Sequence, residues 1–162
     1  MNAGLLFYCS RRTSVCEKTI RKTAGWFYLT MQDVRVCTQE KRLNPSMAAL
    51  LKNDAIVFTV SEAVGGRPAC CEPMFHTLHV PVDADDEPIG VLRLTARETT
   101  GYLIESVDRA ILILPDDPGE ILQMMPTAFD RLKKKFELKG EIPPPKKIRF
   151  ECSDSTPFSN AE

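Results

Sequence analysis

FHTLHVPVDADDEPIGVLRLTARETTGYLIESVDRAILIL, residues 75–114, alternates apolar segments of strand length with polar turn chemistry. Leu78, Val80 and Val82 recur at period two, as do Leu92, Leu94 and Ala96. Each set is predicted to line one face of a sheet while His79, Arg93, Thr95 and Arg97 face away. The pattern predicts an antiparallel meander with one buried face.

Working outward from this stretch, residues 55–60 (AIVFTV) are rich in β-branched and aromatic types and predict a further strand. Gly65 and Gly66 follow it as a tight turn into a return strand at residues 68–71, kept at the sheet edge by Pro68 and Pro73. Before it, Asn44 reads as a helix cap with Pro45 in the first turn. Met47, Leu50 and Leu51 give one apolar face, and the helix is expected to end at Asn53. After the meander, Asp117 caps a second helix with Pro118 at its first position and Glu120 at its third. Met125, Phe129, Leu132 and Phe136 form its stripe, Pro126 is expected to kink it, and Gly140 to close it. Arg131, Lys133, Lys134 and Lys135 make a basic end that the helix dipole favours. Ile56, Phe58, Leu78, Val80, Leu92, Leu94, Leu112, Leu114, Phe129 and Leu132 are predicted to share one core.

The chain has 162 residues, enough for one domain and one core of ordinary size. With 21 basic and 22 acidic side chains, no strong field directs it to nucleic acid or to an anionic membrane. Six cysteines, at 9, 16, 37, 70, 71 and 152, show neither CxxC nor secreted-domain spacing, and are expected to be reduced thiols of a cytoplasmic or nuclear protein. Residues 3–9 are apolar but too short for a membrane span. The basic, hydroxyl-rich residues 10–23 loosely match a transit peptide. Residues 1–31 are therefore read as a poorly ordered leader or an added edge strand, with Met31 as an alternative start. The expected organisation is an α+β domain at 32–139, with an antiparallel or mixed sheet and packing helices, followed by a disordered tail at 140–162.

The tail carries the one docking-type feature. Pro143, Pro144 and Pro145 stiffen an approach to Lys146, Lys147, Ile148, Arg149 and Phe150, two cations followed by apolar anchors at period two. KKIRF resembles the basic-x-[Val/Ile]-x-Phe segment by which regulatory subunits bind the catalytic subunit of protein phosphatase 1. That resemblance implies partner-binding roles for Lys146, Lys147, Ile148 and Phe150. A nuclear-import patch and a terminal edge strand are the alternatives for the same residues.

Residues 79–102 also resemble a degenerate Nudix region. Glu98, Thr100, Gly101 and Tyr102 match the end of its motif, while Leu94, Thr95 and Thr99 stand where essential positions are lost. This resemblance implies a nucleotide-phosphohydrolase-like fold without hydrolysis, and it requires a helix at 91–99, where Val91, Thr95, Thr99 and Thr100 are poor helix formers. Residues 87–94 are similar to a central strand of acetyltransferase and small-molecule sensor folds, with no pyrophosphate-binding glycine loop after it. His76 and His79 near Cys70 and Cys71 lack zinc spacing, and Asp83, Asp85, Asp86 and Glu87 lack the calcium-loop spacing. No catalytic residue, metal or cofactor is assigned. The resulting expectation is a non-enzymatic regulatory adaptor recruiting a phosphatase through its tail, with a diverged Nudix-like or ligand-sensor domain as the alternative.

Overall fold

The computed structural model describes residues 1–144. The chain runs β1 (Asn2–Tyr8), α1 (Thr13–Gly25), β2 (Thr30–Cys37), α2 (Glu40–Asn53), β3 (Ile56–Ser61), β4 (Ala63–Val64), β5 (Arg67–Pro68), α3 (Cys71–Thr77), β6 (Leu92–Thr95), β7 (Thr100–Glu105), β8 (Ala110–Pro115) and α4 (Pro118–Phe136). Six strands form one sheet in the order β2-β1-β3-β8-β7-β6, and β4 and β5 make a separate hairpin. Neighbouring strands from β2 to β8 are parallel, whereas β7 and β6 run antiparallel at the far edge. Helices and a mixed sheet are thus combined as expected, but parallel strands joined by helical crossovers outweigh the meander. The expected meander survives only in β6, β7 and β8.

Strands buried on both faces read as continuous apolar runs rather than alternating ones. Residues 3–8, 56–60 and 110–114 are three such runs, and they occupy the middle of the sheet. The leader expectation for residues 1–31 is therefore corrected. β1 lies between β2 and β3, with Leu5 and Leu6 fully buried, so the folded unit begins at Asn2 rather than at residue 32.

A second correction concerns residues 75–82, which form no strand. Cys70, Cys71, Met74, Phe75 and Leu78 also repeat at helical spacing, and burial of that stripe against the sheet selects α3 over a strand. Pro73 is tolerated because the first N–H groups of a helix have no intrahelical acceptor. His79 then leaves the helix with φ 56°.

The helices differ in smaller ways. α2 begins at Glu40, ahead of the expected start, and Asn44 donates from Nδ2 to Thr77 Oγ1 at 2.7 Å instead of capping. α4 is capped by Asp117, whose Oδ1 accepts from the N–H groups of Gly119 at 2.9 Å and Glu120 at 3.2 Å. It continues through Pro126 to Phe136, where Glu137 in the left-handed region (φ 55°) ends it before Gly140. Gly65 and Gly66 take positive φ at the hairpin tip, as the turn requires.

The single core expected from sequence is divided by the sheet. Across one face the register aligns Val34, Leu5, Phe58, Leu112, Leu103 and Leu92, and this face packs on α1 and α4. Phe27 stacks on Phe129 there, with centroids 4.2 Å apart. The opposite face buries Leu6, Val57, Ile111, Ile113 and Tyr102 beneath α2 and α3, and Leu78 and Val80 belong to this side. Gly101 allows α4 to approach β7, because a Cβ there would lie 2.5 Å from the Ile113 carbonyl oxygen and 2.9 Å from Met124 Sδ. Among the described residues no helix is long and apolar enough to cross a membrane.

Candidate functional site

In an open sheet of parallel strands, a crevice forms where neighbouring strands send their connections to opposite faces, outside their carboxyl ends. β1 and β3 are such a pair. β1 leads into α1 on one face, and β3 leads through the β4–β5 hairpin to α3 on the other. A hollow of about 350 Å³ lies at this point. Its walls are Arg11 and Arg12 after β1, Glu62 and Ala63 after β3, and Pro115, Asp116 and Asp117 at the end of β8.

Polar contacts tie these turns together. Asp116 Oδ2 accepts from the backbone N–H of Arg11 at 2.9 Å and from the Ser10 hydroxyl at 3.5 Å, joining the β1 and β8 ends. The Arg11 guanidinium meets Glu62 at 2.9 Å, and that of Arg12 lies 3.6 Å from Asp117. Both arginines are more than half exposed, so these pairs are weak and open to exchange with a ligand. Glu120, although third in α4, does not complete a capping box. Its Oε1 accepts from Glu98 N, Thr99 N and Thr99 Oγ1 at 2.8–2.9 Å, pinning the β6–β7 turn as the fourth wall.

Carboxylates outnumber guanidiniums in the crevice, five against two. Cys16, beneath the first turn of α1, senses this field. Burial first, then Asp116 and Asp117, push its thiol up to about 12. An electron-rich lining of this kind accepts hydrogen bonds from N–H donors, with two exchangeable guanidiniums at hand for an acidic substituent.

A second hollow, of about 620 Å³, lies across the hairpin between α2, α3 and residues 80–86. Arg67 closes its floor, 5.7 Å over the Phe75 ring and bonded to the Asp86 carbonyl at 2.8 Å. Glu87 receives Tyr102 OH at 3.2 Å and pairs with Arg67 and Arg93. His76 and His79 are exposed, whereas Cys70 and Cys71 are buried at the start of α3. Among the described residues no three His, Cys, Asp or Glu side chains are grouped to hold a metal ion. At the other end of α4, Arg131 pairs with Glu105 at 2.7 Å and Lys135 donates to the Ser106 and Val107 carbonyls, so half of the basic helix end holds the β7–β8 turn.

Lys146, Lys147, Ile148 and Phe150, the residues singled out for partner binding, lie outside the described residues. The sequence reading missed Arg11, Arg12 and Asp116 as site residues and gave Asp117 only a capping role. Their signal was present. Each lies within three residues of the end of a continuous apolar run, where the carboxyl-end loops of a parallel sheet fall.

No family model matches the chain, and no curated protein is similar to it in sequence. Solved structures do resemble it. The protein CinA of Thermoplasma acidophilum, described as of unknown function, aligns over 82% of this chain and 96% of its own, with a TM-score of 0.61 at 12% identity. The chain shares their fold. A putative molybdenum cofactor biosynthesis protein from Corynebacterium diphtheriae gives a TM-score of 0.58 at 12% identity, over 85% of this chain and 97% of its own. The molybdopterin biosynthesis enzyme MoaB from Thermus thermophilus gives 0.56 at 13%, over 86% and 99%. This architecture overturns the phosphatase-recruiting adaptor expected from the tail. The sheet carries a crevice at the carboxyl ends of its strands, and two of the chains that share the fold are described as a putative molybdenum cofactor biosynthesis protein and a molybdopterin biosynthesis enzyme.

Proposed function

We propose that the chain is a small-molecule-binding domain of the cofactor-biosynthesis type and that its ligand is a pterin or a similar flat heterocycle, held in the crevice between β1, β3 and β8. The observation that carries this reading is the position of the crevice, at the switch between β1 and β3, in a fold shared with a molybdopterin biosynthesis enzyme. Its chemistry supports the same ligand. Adjacent N–H donors on a pterin edge match the Asp116, Asp117 and Glu62 carboxylates, and Arg11 and Arg12 suit an acidic substituent. The hollow is within the size range of small-ligand pockets.

The reading is tested by calorimetric titration with a phosphate-bearing pterin. Arg12 is exposed and its partner is distant, so Arg12→Ala is expected to leave the melting temperature unchanged while weakening binding about tenfold, the cost of one charge-assisted contact. Absence of binding by the unaltered chain, or equal binding by the variant and the unaltered chain, would count against it.

A further inference from the structure

We propose that Cys9 and Cys37 form a peroxide-sensitive thiol pair at the carboxyl ends of β1 and β2, which closes to a disulfide and re-aims the loop at residues 10–12. Tyr8 and Cys37 are direct partners in the parallel register, and Cys9 follows Tyr8. The backbone N–H of Cys9 donates to the Cys37 carbonyl at 3.0 Å, and the Cys9 Sγ donates to the Thr38 carbonyl at 3.3 Å. Neighbouring strands lie about 4.8 Å apart and one residue along the strand adds about 3.3 Å, so this offset pair has its Cα atoms about 6 Å apart, inside the range that a disulfide spans.

Cys9 does not continue the strand. Its φ is 50°, a left-handed conformation uncommon for a residue with a side chain, and its thiol reaches the Thr38 carbonyl just past the end of β2. Cys9 is exposed and Cys37 is 7% exposed, packed with Tyr8. The two roles follow from access. A peroxide reaches the Cys9 thiolate, which displaces hydroxide from the O–O bond and becomes a sulfenic acid. Cys37 sulfur then attacks Cys9 sulfur, the S–O bond breaks, and the departing hydroxide takes up a proton. In sum two thiols and one hydrogen peroxide give one disulfide and two waters. Burial, and then the neighbouring Cys9, raise the Cys37 pKa, and a hydrogen bond with Ser46 opposes them. Cys70, at the start of α3, is fully buried and out of reach of peroxide. Because Ser10, Arg11 and Arg12 come directly after Cys9, closure shifts the wall that Asp116 holds. A resulting loss of ligand rests on the pterin reading, whereas the disulfide itself does not.

The full chain is treated with hydrogen peroxide, its remaining thiols are alkylated under denaturing conditions, and the unreduced digest is mapped by mass spectrometry. One linked pair joining the Cys9 and Cys37 peptides of a single chain is expected, together with faster amide exchange at residues 10–12. The link should vanish in Cys9→Ser, an exposed position whose variant should keep the melting temperature, and in Cys37→Ala. Cys9 oxidised beyond sulfenic acid with Cys37 still alkylated, a Cys37–Cys70 link, or a link between chains would each overturn the proposal. Pterin titration of the mapped, oxidised protein then reads the consequence separately, so a failed ligand reading leaves the thiol result standing.

Discussion

Asp54 ends α2 with its carboxyl group almost wholly buried, and its Oδ2 has no hydrogen-bond donor within reach. Burial, and then the Asp33 carboxylate, raise its pKa, so folding disfavours the ionised form relative to the unfolded chain. The stability contributed by this group is present below the unfolded pKa of about 3.9 and is lost as pH rises through the higher folded value. Asp54→Asn, which cannot ionise, is therefore expected to melt above the unaltered protein at neutral pH and to lose that advantage in acid. Melting curves of the two proteins that stay parallel from acid to neutral pH would show that the raised value does not govern stability. A conflict of this kind is invisible in sequence, since Asp54 in KNDAI reads as an ordinary helix stop. The same holds for Glu120. Its place three residues after Asp117 suggested a capping box, but the β6–β7 turn, distant in sequence, presents three donors to it.

Among the elements, β8 is the hinge between the parallel and antiparallel halves of the sheet, and Leu112 sits at its centre between Phe58 and Leu103. Leu112 is fully buried, so Leu112→Ala removes packing on one whole face and should cost about 2–5 kcal/mol in urea unfolding. A cost below about 1 kcal/mol would contradict its central position. Strands of this half were legible. LRLT and AILIL stand out by β-branched and aliphatic content, and the Gly65–Gly66 turn by its conformational demand. α3 was not, because Leu78 belongs both to the helical stripe of Cys70, Cys71, Met74 and Phe75 and to the period-two set of Leu78, Val80 and Val82. Local pattern cannot separate these readings. The pocket left by α2 and Tyr102 does, by taking up Cys71, Met74 and Phe75 together.

For the whole molecule, the decisive strand is the first. An apolar run of seven residues before Ser10 resembles a leader when read alone, yet its length and lack of alternation are those of a central parallel strand. Long-range pairing, with β1 joined to β2 and to β3 by crossovers, is what no local window reports. If the folded unit begins at Asn2, amides of β1 should exchange as slowly as those of β3 and β8, at the rate of global unfolding. Exchange at residues 2–8 as fast as at the exposed residues 83–86 would instead mark a detachable segment.

The carboxyl-rim crevice is the functional centre of this account, and amide chemical-shift mapping during titration with a phosphate-bearing pterin tests it most directly. Shifts should concentrate at residues 11–12, 62–63, 98–99 and 116–120, which come together only in the folded sheet. Shifts confined to the β2 edge or to the opposite rim around Asp54 and Asp108 would contradict it.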